Sequence, residues 1–273
     1  MKALKVLAAL LLLGLLEVPS VRAAGEIADL LDQAVASPQR SPAYKARDRY
    51  RHPQETLLFF GLRPEMHVVE VWPGAGYYTE ILAPILRTRG RYYAAHYYVD
   101  DRSSAYFREA RQAFLQKLSK EPALYDRIVV TALQAPEHVA AAPKESIDLV
   151  LTFRNVHNWM AAGNDQAMFR AFYDVLKPAG ILGVVEHRAR DGTTPEDMKR
   201  SGYITEAYVI ELAQKAGFKV AARSEINANA RDTKNYSAGV WTLPPTLRLG
   251  NVDRDKYMAI GESDRMTLKF VKP

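Results

Sequence analysis

The chain has 273 residues, of which 48% are hydrophobic and 25% are charged, a composition typical of globular proteins. It contains no cysteine, which excludes disulfide-stabilised scaffolds, thiolate zinc sites and cysteine nucleophiles. The formal net charge of +6 is small and dispersed along the chain, so we expect no nucleic-acid partner.

The first 23 residues have the three parts of a secretory signal peptide. Lys2 and Lys5 precede an apolar run over residues 6–16, and small residues precede a cut predicted between Ala23 and Ala24. The apolar run is too short to cross a membrane, which takes about 20 apolar residues. We therefore expect a periplasmic or secreted protein with no stable membrane span after cleavage.

Residues 24–62 are predicted to form a helical cap. A short amphipathic helix over residues 27–35 precedes a polar stretch with Arg47, Arg49 and Arg51, and a second helix ends at Gly61. The arginines either bind an acidic group through bidentate hydrogen bonds or form a solvated basic face, which is the commoner arrangement.

Short β-branched and aromatic runs alternate with helix-like stretches through residues 63–273. Seven strands are predicted, at residues 67–71, 91–95, 127–132, 147–153, 181–186, 218–222 and 266–271. This alternation predicts an α/β fold with a doubly wound, mostly parallel sheet. The last strand follows a long insertion at residues 223–264 without a strong crossover helix, so we expect it to be antiparallel. Within the insertion, Tyr236 and Trp241 either belong to a substrate lid or seal a core edge.

The first predicted strand ends in a glycine-rich turn, the most informative segment of the chain. Glu70 lies inside the strand, and Gly74 and Gly76 follow it before the next helix. Such a turn lets backbone N–H groups and a helix N-terminus face a ligand at the carboxyl edge of the sheet. Burying Glu70 is costly without a partner, so we expect it to face a polar ligand or the turn amides. For the glycines alone, a tight turn of an unrelated α/β protein is the alternative.

These motifs resemble the class I S-adenosylmethionine-dependent methyltransferases. The matching segments, in the family's order, are residues 70–76, 147–153, 176–180 and 216–218. More narrowly, residues 154–159, 184–188 and 239–245 resemble a group of exported bacterial predicted methyltransferases. The resemblance covers about residues 45–273. It implies a Rossmann-like methyltransferase fold and S-adenosylmethionine as the cofactor.

The resemblance also implies a set of cofactor-binding residues, namely Glu70, Trp72, Gly74, Gly76, His96 and Arg154. In the family, the first acid and the glycines hold the methionine part and the ribose edge of the cofactor. His96 stands where a second acid normally binds both ribose hydroxyls, and a neutral imidazole offers one acceptor. Either His96 makes a single ribose contact, Asp100 or Asp101 reaches back, or cofactor affinity is low. Trp72 and Pro73 also depart from the family, whose pattern usually begins with glycine. The indole either stacks on a ligand or packs against the protein, and the proline removes an amide donor.

The turns after the fourth and fifth strands carry the candidates for catalysis. Methyl transfer needs proximity, orientation and, for some acceptors, a base. We predict His157 as the general base, Asn155 as a substrate-positioning residue, and Glu186 and His187 in the same pocket. The alternative is a turn-capping asparagine and a structural histidine. A metal held by two histidines and a glutamate is a weaker interpretation, because no helix has His-x-x-x-His spacing, and we predict no metal.

Three functions are compatible with these residues. The first is an exported S-adenosylmethionine-dependent methyltransferase with a small-molecule acceptor. The second is a non-catalytic periplasmic ligand-binding protein that kept the fold, favoured by the cytoplasmic synthesis of the cofactor and by Trp72, Pro73 and His96. A nicotinamide-dependent oxidoreductase is weaker, because Thr79 stands where its fingerprint needs a third glycine.

Overall fold

A computed structural model describes residues 19–273 of the chain. Residues 1–18 of the predicted signal peptide lie outside the described residues, and the predicted cut falls within the first helix, Pro19–Ala36. Among the helices described, none is both long and apolar enough to cross a membrane.

The described residues form a single seven-stranded sheet. Its strands are β1 His67–Val71, β2 Arg91–Tyr97, β3 Val129–Leu133, β4 Ile147–Phe153, β5 Leu176–His187, β6 Lys219–Ser224 and β7 Arg265–Val271. Their order in the sheet is β3-β2-β1-β4-β5-β7-β6. Strands β1 to β5 are parallel, whereas β7 runs antiparallel to both β5 and β6. The predicted doubly wound sheet with an antiparallel last strand is therefore confirmed.

Helices cover both faces and part of the carboxyl edge of the sheet. They are α1 Pro19–Ala36, α2 Pro42–Lys45, α3 Asp48–Arg51, α4 Pro53–Phe60, α5 Thr79–Leu86, α6 Ala105–Lys120, α7 Pro122–Tyr125, α8 Val156–Ala162, α9 Asp165–Val175, α10 Pro195–Ser201, α11 Glu206–Ala216 and α12 Arg254–Ile260. Helices α1, α4 and α5 pack on one face, and α9 and α11 pack on the other.

Successive residues of a strand point to opposite faces, and here both faces are apolar. Val68 and Leu149 pack into the core beneath α4 and α5, whereas their neighbours Val69 and Val150 pack beneath α9. Continuous apolar runs of this kind are typical of parallel strands covered on both sides. Polar side chains that could bind a ligand therefore lie mainly at the ends of the central strands.

Strand β5 begins five residues earlier than the sequence predicts. Residues 176–180 match the family segment that precedes the fifth predicted strand, yet Leu176 already pairs with Ile147 on β4. The N–H of Ala179 donates to the carbonyl of Lys272 at 2.9 Å, and the N–H of Lys272 donates to the carbonyl of Gly180 at 2.9 Å. Hydrogen bonds to the distant C-terminal segment therefore extend the strand.

The insertion between β6 and β7 folds back towards the loop after β5. It contains a short 3-10 helix, Gly239–Thr242, followed by α12. Asp232 accepts hydrogen bonds from the hydroxyl of Tyr203 at 3.0 Å and from the N–H of Asp264 at 2.8 Å. Val240 packs on Tyr203 in a small apolar cluster. These contacts fix the insertion where it contributes a wall of the cavity described next.

Candidate functional site

A cavity of about 370 Å³ lies at the carboxyl ends of β1, β2, β4 and β5. Its lining comes from the turn after β1, the end of β2, the turn after β4, the end of β5, the cap helices α2 and α3, and residues 240–246 of the insertion. The sheet order reverses direction between β1 and β4, which is where open α/β sheets bind their ligands.

The turn after β1 forms the floor of this cavity, and its two glycines, Gly74 and Gly76, have different structural roles. Gly74 has a φ of +59°, and a side chain added there would meet nothing within 4 Å. Gly76 has a φ of +88°, and a side chain would approach Thr79 and Phe114 at 3.3 Å. Gly74 therefore leaves open space for a ligand beside the backbone, whereas Gly76 is required by the turn itself.

Trp72 is held firmly in the cavity wall. Its indole N–H donates to the carbonyl of Leu133 at 2.8 Å, and its ring packs edge-on against Tyr97 and Trp159. Its backbone is left-handed, with a φ of 52°, which is uncommon for a bulky residue. The structural packing considered for Trp72 is thus present, and a ligand contact stays a prediction.

Glu70 lies beneath the turn, and its side chain is only 3% exposed. The hydroxyls of Tyr92 and Thr79 donate to its carboxylate. Burial raises the pKa of Glu70 to about 7, although these two hydrogen bonds act in the opposite direction. A carboxyl group with this pKa changes its charge readily when a cationic ligand approaches.

His96 is buried behind the turn and does not line the cavity. Its Nδ1 accepts the N–H of Tyr97 at 2.8 Å, and its Nε2 lies 3.1 Å from the carbonyl of Gly74. Since Nδ1 is an acceptor, Nε2 carries the proton and donates to Gly74. Burial lowers the pKa of His96 to about 4, so the ring stays neutral. A contact of His96 with the ribose would require one of these two hydrogen bonds to break. In the structure His96 holds the turn through the carbonyl of Gly74.

Asn155 joins the turn after β4 to the end of β1. Its side-chain amide donates to the carbonyl of Val71 at 3.0 Å and to the hydroxyl of Thr152 at 3.2 Å. The residue is buried and lines the cavity at the start of α8. Asn155 therefore forms a structural link between two strands, and positioning of a substrate by it stays a prediction.

His157 and Glu186 form a buried pair, as predicted from their places after the fourth strand and at the end of the neighbouring fifth strand. Nδ1 of His157 lies 3.1 Å from Oε1 of Glu186, and the backbone N–H of His157 donates to Oε2 at 3.3 Å. Glu186 is fully buried, whereas His157 lines the cavity. A carboxylate beside Nδ1 favours a proton there and leaves the lone pair on Nε2. This arrangement suits a general base.

His187 completes a group of potential metal ligands with this pair. The ligand atoms of His157, Glu186 and His187 all lie within 4.8 Å of one another. Burial and the nearby positive charges of Arg154 and Arg265 hold the pKa of His187 well below its usual range. The same positive charges disfavour a divalent cation at this position.

Four arginines line the cavity. For two of them, Arg47 and Arg51, a solvated basic face was the commoner of the two predicted arrangements. Arg47 and Arg51 instead reach into the cavity, Arg51 being fully enclosed. Arg154 lies in the turn after β4, and Arg265 begins β7. Arg265 was not predicted as a site residue. The charged run from Glu262 to Arg265 just before the last strand is the signal that could have indicated it.

The insertion supplies one of the two aromatic residues expected of a lid. Trp241 lines the cavity, with its ring centroid 6.1 Å from that of His157. Tyr236 does not line the cavity and packs on Tyr257 instead. Tyr78 and Phe153 also line the cavity, stacked with their ring centroids 3.7 Å apart. These two rings were not predicted, although Tyr78 lies two residues after Gly76, the last residue of the glycine motif.

No protein-family model matches the chain, and no curated protein matches its sequence. Solved structures do match. A SAM-dependent methyltransferase from Aquifex aeolicus superposes with a TM-score of 0.55 and 19% identity, over 92% of this chain and 98% of that one. The [4+2]-cyclase SpnF gives a TM-score of 0.56 and 16% identity, over 91% and 94%. A possible exported protein from Bordetella parapertussis gives 0.50 and 17%, over 90% and 79%.

Likeness at these identities concerns the fold, and the presence of a cyclase among the neighbours illustrates that one fold serves several reactions. The sheet order and the strand directions of this chain match those of the methyltransferase neighbours. The chain therefore has the Rossmann-like fold of the class I S-adenosylmethionine-dependent methyltransferases.

Proposed function

We propose that this protein is an S-adenosylmethionine-dependent methyltransferase that acts on a small molecule. One observation carries the proposal: the open turn at Gly74 and the imidazole of His157, which is paired with the buried Glu186, line the same cavity of about 370 Å³. Structural neighbours with this activity in their names support it.

The residues around the β1 turn fit the cofactor. Gly74 leaves space for a ligand against the backbone, and Glu70 offers a carboxyl group to the amino group of the methionine part. When bound, S-adenosylmethionine supplies a methyl group on a sulfonium, which is already an activated leaving group. The protein must then bind, orient and, where the acceptor carries a proton, remove it.

His157 is the residue placed to remove that proton. Its Nε2 accepts the proton of the acceptor, and the carboxylate of Glu186 stabilises the imidazolium that results. Glu186 also fixes the orientation of the ring through two contacts, one to Nδ1 and one to the backbone N–H of His157. Trp241 covers the cavity beside the imidazole and limits access of water.

The test is calorimetric titration of the full chain with S-adenosylhomocysteine and S-adenosylmethionine. In Gly74→Leu, the new side chain fills the space beside the turn, so we expect affinity to fall about ten- to a hundredfold. Gly250→Leu is the matched control, because Gly250 has a similar φ of +62°, open surroundings and no place in the cavity lining.

The two variants share the backbone cost of a left-handed leucine and differ in their position relative to the cavity. Equal loss of affinity in both would contradict the assigned cofactor site. Absence of binding to the well-folded wild-type protein would reject the methyltransferase proposal altogether.

A non-catalytic ligand-binding protein is the second candidate. It is favoured by the two departures of the turn, since Pro73 lacks an N–H and both ring nitrogens of His96 are already engaged. Under this alternative the cavity binds another molecule, and neither S-adenosylmethionine nor S-adenosylhomocysteine binds in the titration above.

We also propose that the protein is exported. The support is the sequence pattern of the first 23 residues. N-terminal sequencing of protein recovered from its native cell should begin at Ala24, whereas an intact Met1 would contradict export by cleavage.

A further inference from the structure

The four arginines of the cavity form an unusually positive wall. Arg51 and Arg265 are 4% and 2% exposed, and Arg47 and Arg154 are partly buried beside them. Buried cations are costly unless anions and hydrogen-bond acceptors compensate for the lost water. Anions are therefore expected next to these four arginines.

Glu262 is the carboxylate that binds three of these arginines. It accepts hydrogen bonds from Nε of Arg47 at 2.6 Å, from Nε of Arg51 at 3.1 Å, and from Arg265. One negative charge is thus shared among three guanidinium groups. Among the residues that the structure describes, Nη2 of Arg47, Nη2 of Arg51 and Nε of Arg265 have no hydrogen-bond partner. The wall keeps an excess of positive charge and of unused donors.

Arg154 has no side-chain partner at all within residues 25–273. Its backbone has a φ of 62°, and its N–H donates to the carbonyl of Val185 at 2.7 Å, which fixes the residue at the cavity. Burial, together with the positive charges of Arg51 and Arg265, holds its pKa well below the usual range. Glu262 attracts Arg154 without a direct contact, so the charge of Arg154 is only partly compensated by the protein. An anion in the cavity would complete the compensation.

The cofactor of the proposed function does not supply the missing charge, because its sulfonium and ammonium groups outweigh its single carboxylate. We propose that the methyl acceptor is a small acid whose carboxylate or phosphate group lies against Arg154 and Arg51. This inference rests on the proposed function. Guanidinium groups recognise both oxyanions through paired N–H donors, so the shared chemistry is that of a planar or tetrahedral oxyanion.

The test uses the full chain saturated with S-adenosylhomocysteine, titrated at constant ionic strength with phenyl phosphate, benzoate and phenol. Aromatic probes suit the stacked rings of Tyr78 and Phe153 in the lining. We expect at least one of the two acids to bind roughly tenfold or more tightly than neutral phenol.

Substitution of the unpaired arginine gives the sharper result. Arg154→Gln should weaken binding of the acid about ten- to a hundredfold, because it removes charge-assisted hydrogen bonds. Arg102→Gln is the control for loss of one charge, since the side chain of Arg102 is 93% exposed and outside the cavity, and it should bind as the wild type does. If circular dichroism shows that Arg154→Gln is misfolded, Arg154→Lys takes its place, because lysine keeps the charge but lacks the paired N–H donors.

Two results would overturn the inference. The first is that neither acid binds more tightly than phenol. The second is that Arg154→Gln weakens S-adenosylhomocysteine but not methylthioadenosine, which lacks the amino-acid part. The arginines would then hold the carboxylate of the cofactor rather than an acid of the acceptor.

Failure of the proposed function gives a different pattern. If S-adenosylhomocysteine does not bind, the same acids are titrated into the free protein. Acid binding that depends on Arg154 would then support the oxyanion site while removing the methyltransferase proposal. Absence of acid binding would overturn both.

Discussion

Burial controls the charge state of single polar residues around the cavity. It raises the pKa of Glu70 to about 7 and lowers that of His96 to about 4, because a low-polarity environment favours the neutral form of either group. His96 therefore holds the carbonyl of Gly74 with a neutral ring near pH 7. Glu70, in contrast, is balanced between its two protonation states at that pH.

We expect the affinity for S-adenosylhomocysteine to rise with pH because of Glu70. A ligand ammonium group beside the carboxylate favours its ionised form, so binding releases a proton where Glu70 is still protonated. Affinity should increase roughly tenfold between about pH 6 and about pH 8. Titrations in two buffers of different ionisation enthalpy measure the released proton directly.

Glu70→Gln is the control for this pH dependence. The amide keeps the size of the side chain and cannot titrate, so its affinity should be lower and independent of pH over the same range. A wild-type profile as flat as that of the variant would show that the ammonium group does not lie beside Glu70.

The two buried histidines are expected to carry their protons on opposite nitrogens. His157 should have its proton on Nδ1, facing Glu186, whereas His96 should have it on Nε2, facing Gly74. Nitrogen-15 NMR of the imidazole rings distinguishes these tautomers without any acceptor, and each histidine serves as the reference for the other. A proton on Nε2 of His157 would remove its assignment as the general base.

At the scale of elements, the two turns at the carboxyl edge depend on one another. The turn after β1 accepts a hydrogen bond at Val71 from Asn155, which belongs to the turn after β4. The glycine motif predicted the first turn, and the end of the fourth predicted strand at Phe153 predicted the second, because both signals lie in the local sequence. The link between them was not predicted, since it joins residues 84 positions apart.

Loss of this link should destabilise the fold. Asn155→Ala leaves the buried carbonyl of Val71 without its donor, so we expect the free energy of unfolding to fall by about 1–3 kcal/mol in urea denaturation. Asn158→Ala is the control on the same helix, because Asn158 is exposed, and its effect should stay within about 0.5 kcal/mol. Equal effects of the two substitutions would contradict the linking role of Asn155.

At the scale of the whole molecule, the sequence predicts the sheet better than it predicts the site. Alternating apolar runs are local signals, and they placed all seven strands. The long connection without a strong crossover helix predicted the antiparallel direction of β7. The wall of arginines is not a local signal, because it joins Arg51 of the cap to Arg265 of the last strand through Glu262. Isolated basic residues in a sequence give no indication that they share one buried carboxylate.

Glu262 therefore connects the cap to the rest of the protein, and its loss should affect global stability. Glu262→Gln leaves the buried Arg51 and Arg265 and the partly buried Arg47 without their carboxylate, so we expect the free energy of unfolding at about pH 7 to fall by about 3–5 kcal/mol. Glu225→Gln is the control, because Glu225 pairs with Arg188 while 69% exposed, and it should cost about 0–1 kcal/mol.

The pH dependence separates a charge effect from a packing effect. Burial acts to raise the pKa of Glu262, but Arg265, Arg51, Arg154 and Arg47 together hold it well below its ordinary value of 4.5. The unfolded chain therefore takes up the proton first as pH falls, and the stabilisation by Glu262 is lost below that ordinary value. Urea denaturation at about pH 7 and about pH 4 should show the difference between wild type and Glu262→Gln narrowing in acid. A difference that is the same at both pH values would mean that the side chain stabilises the fold by packing, and the cap would then not be held by this charge.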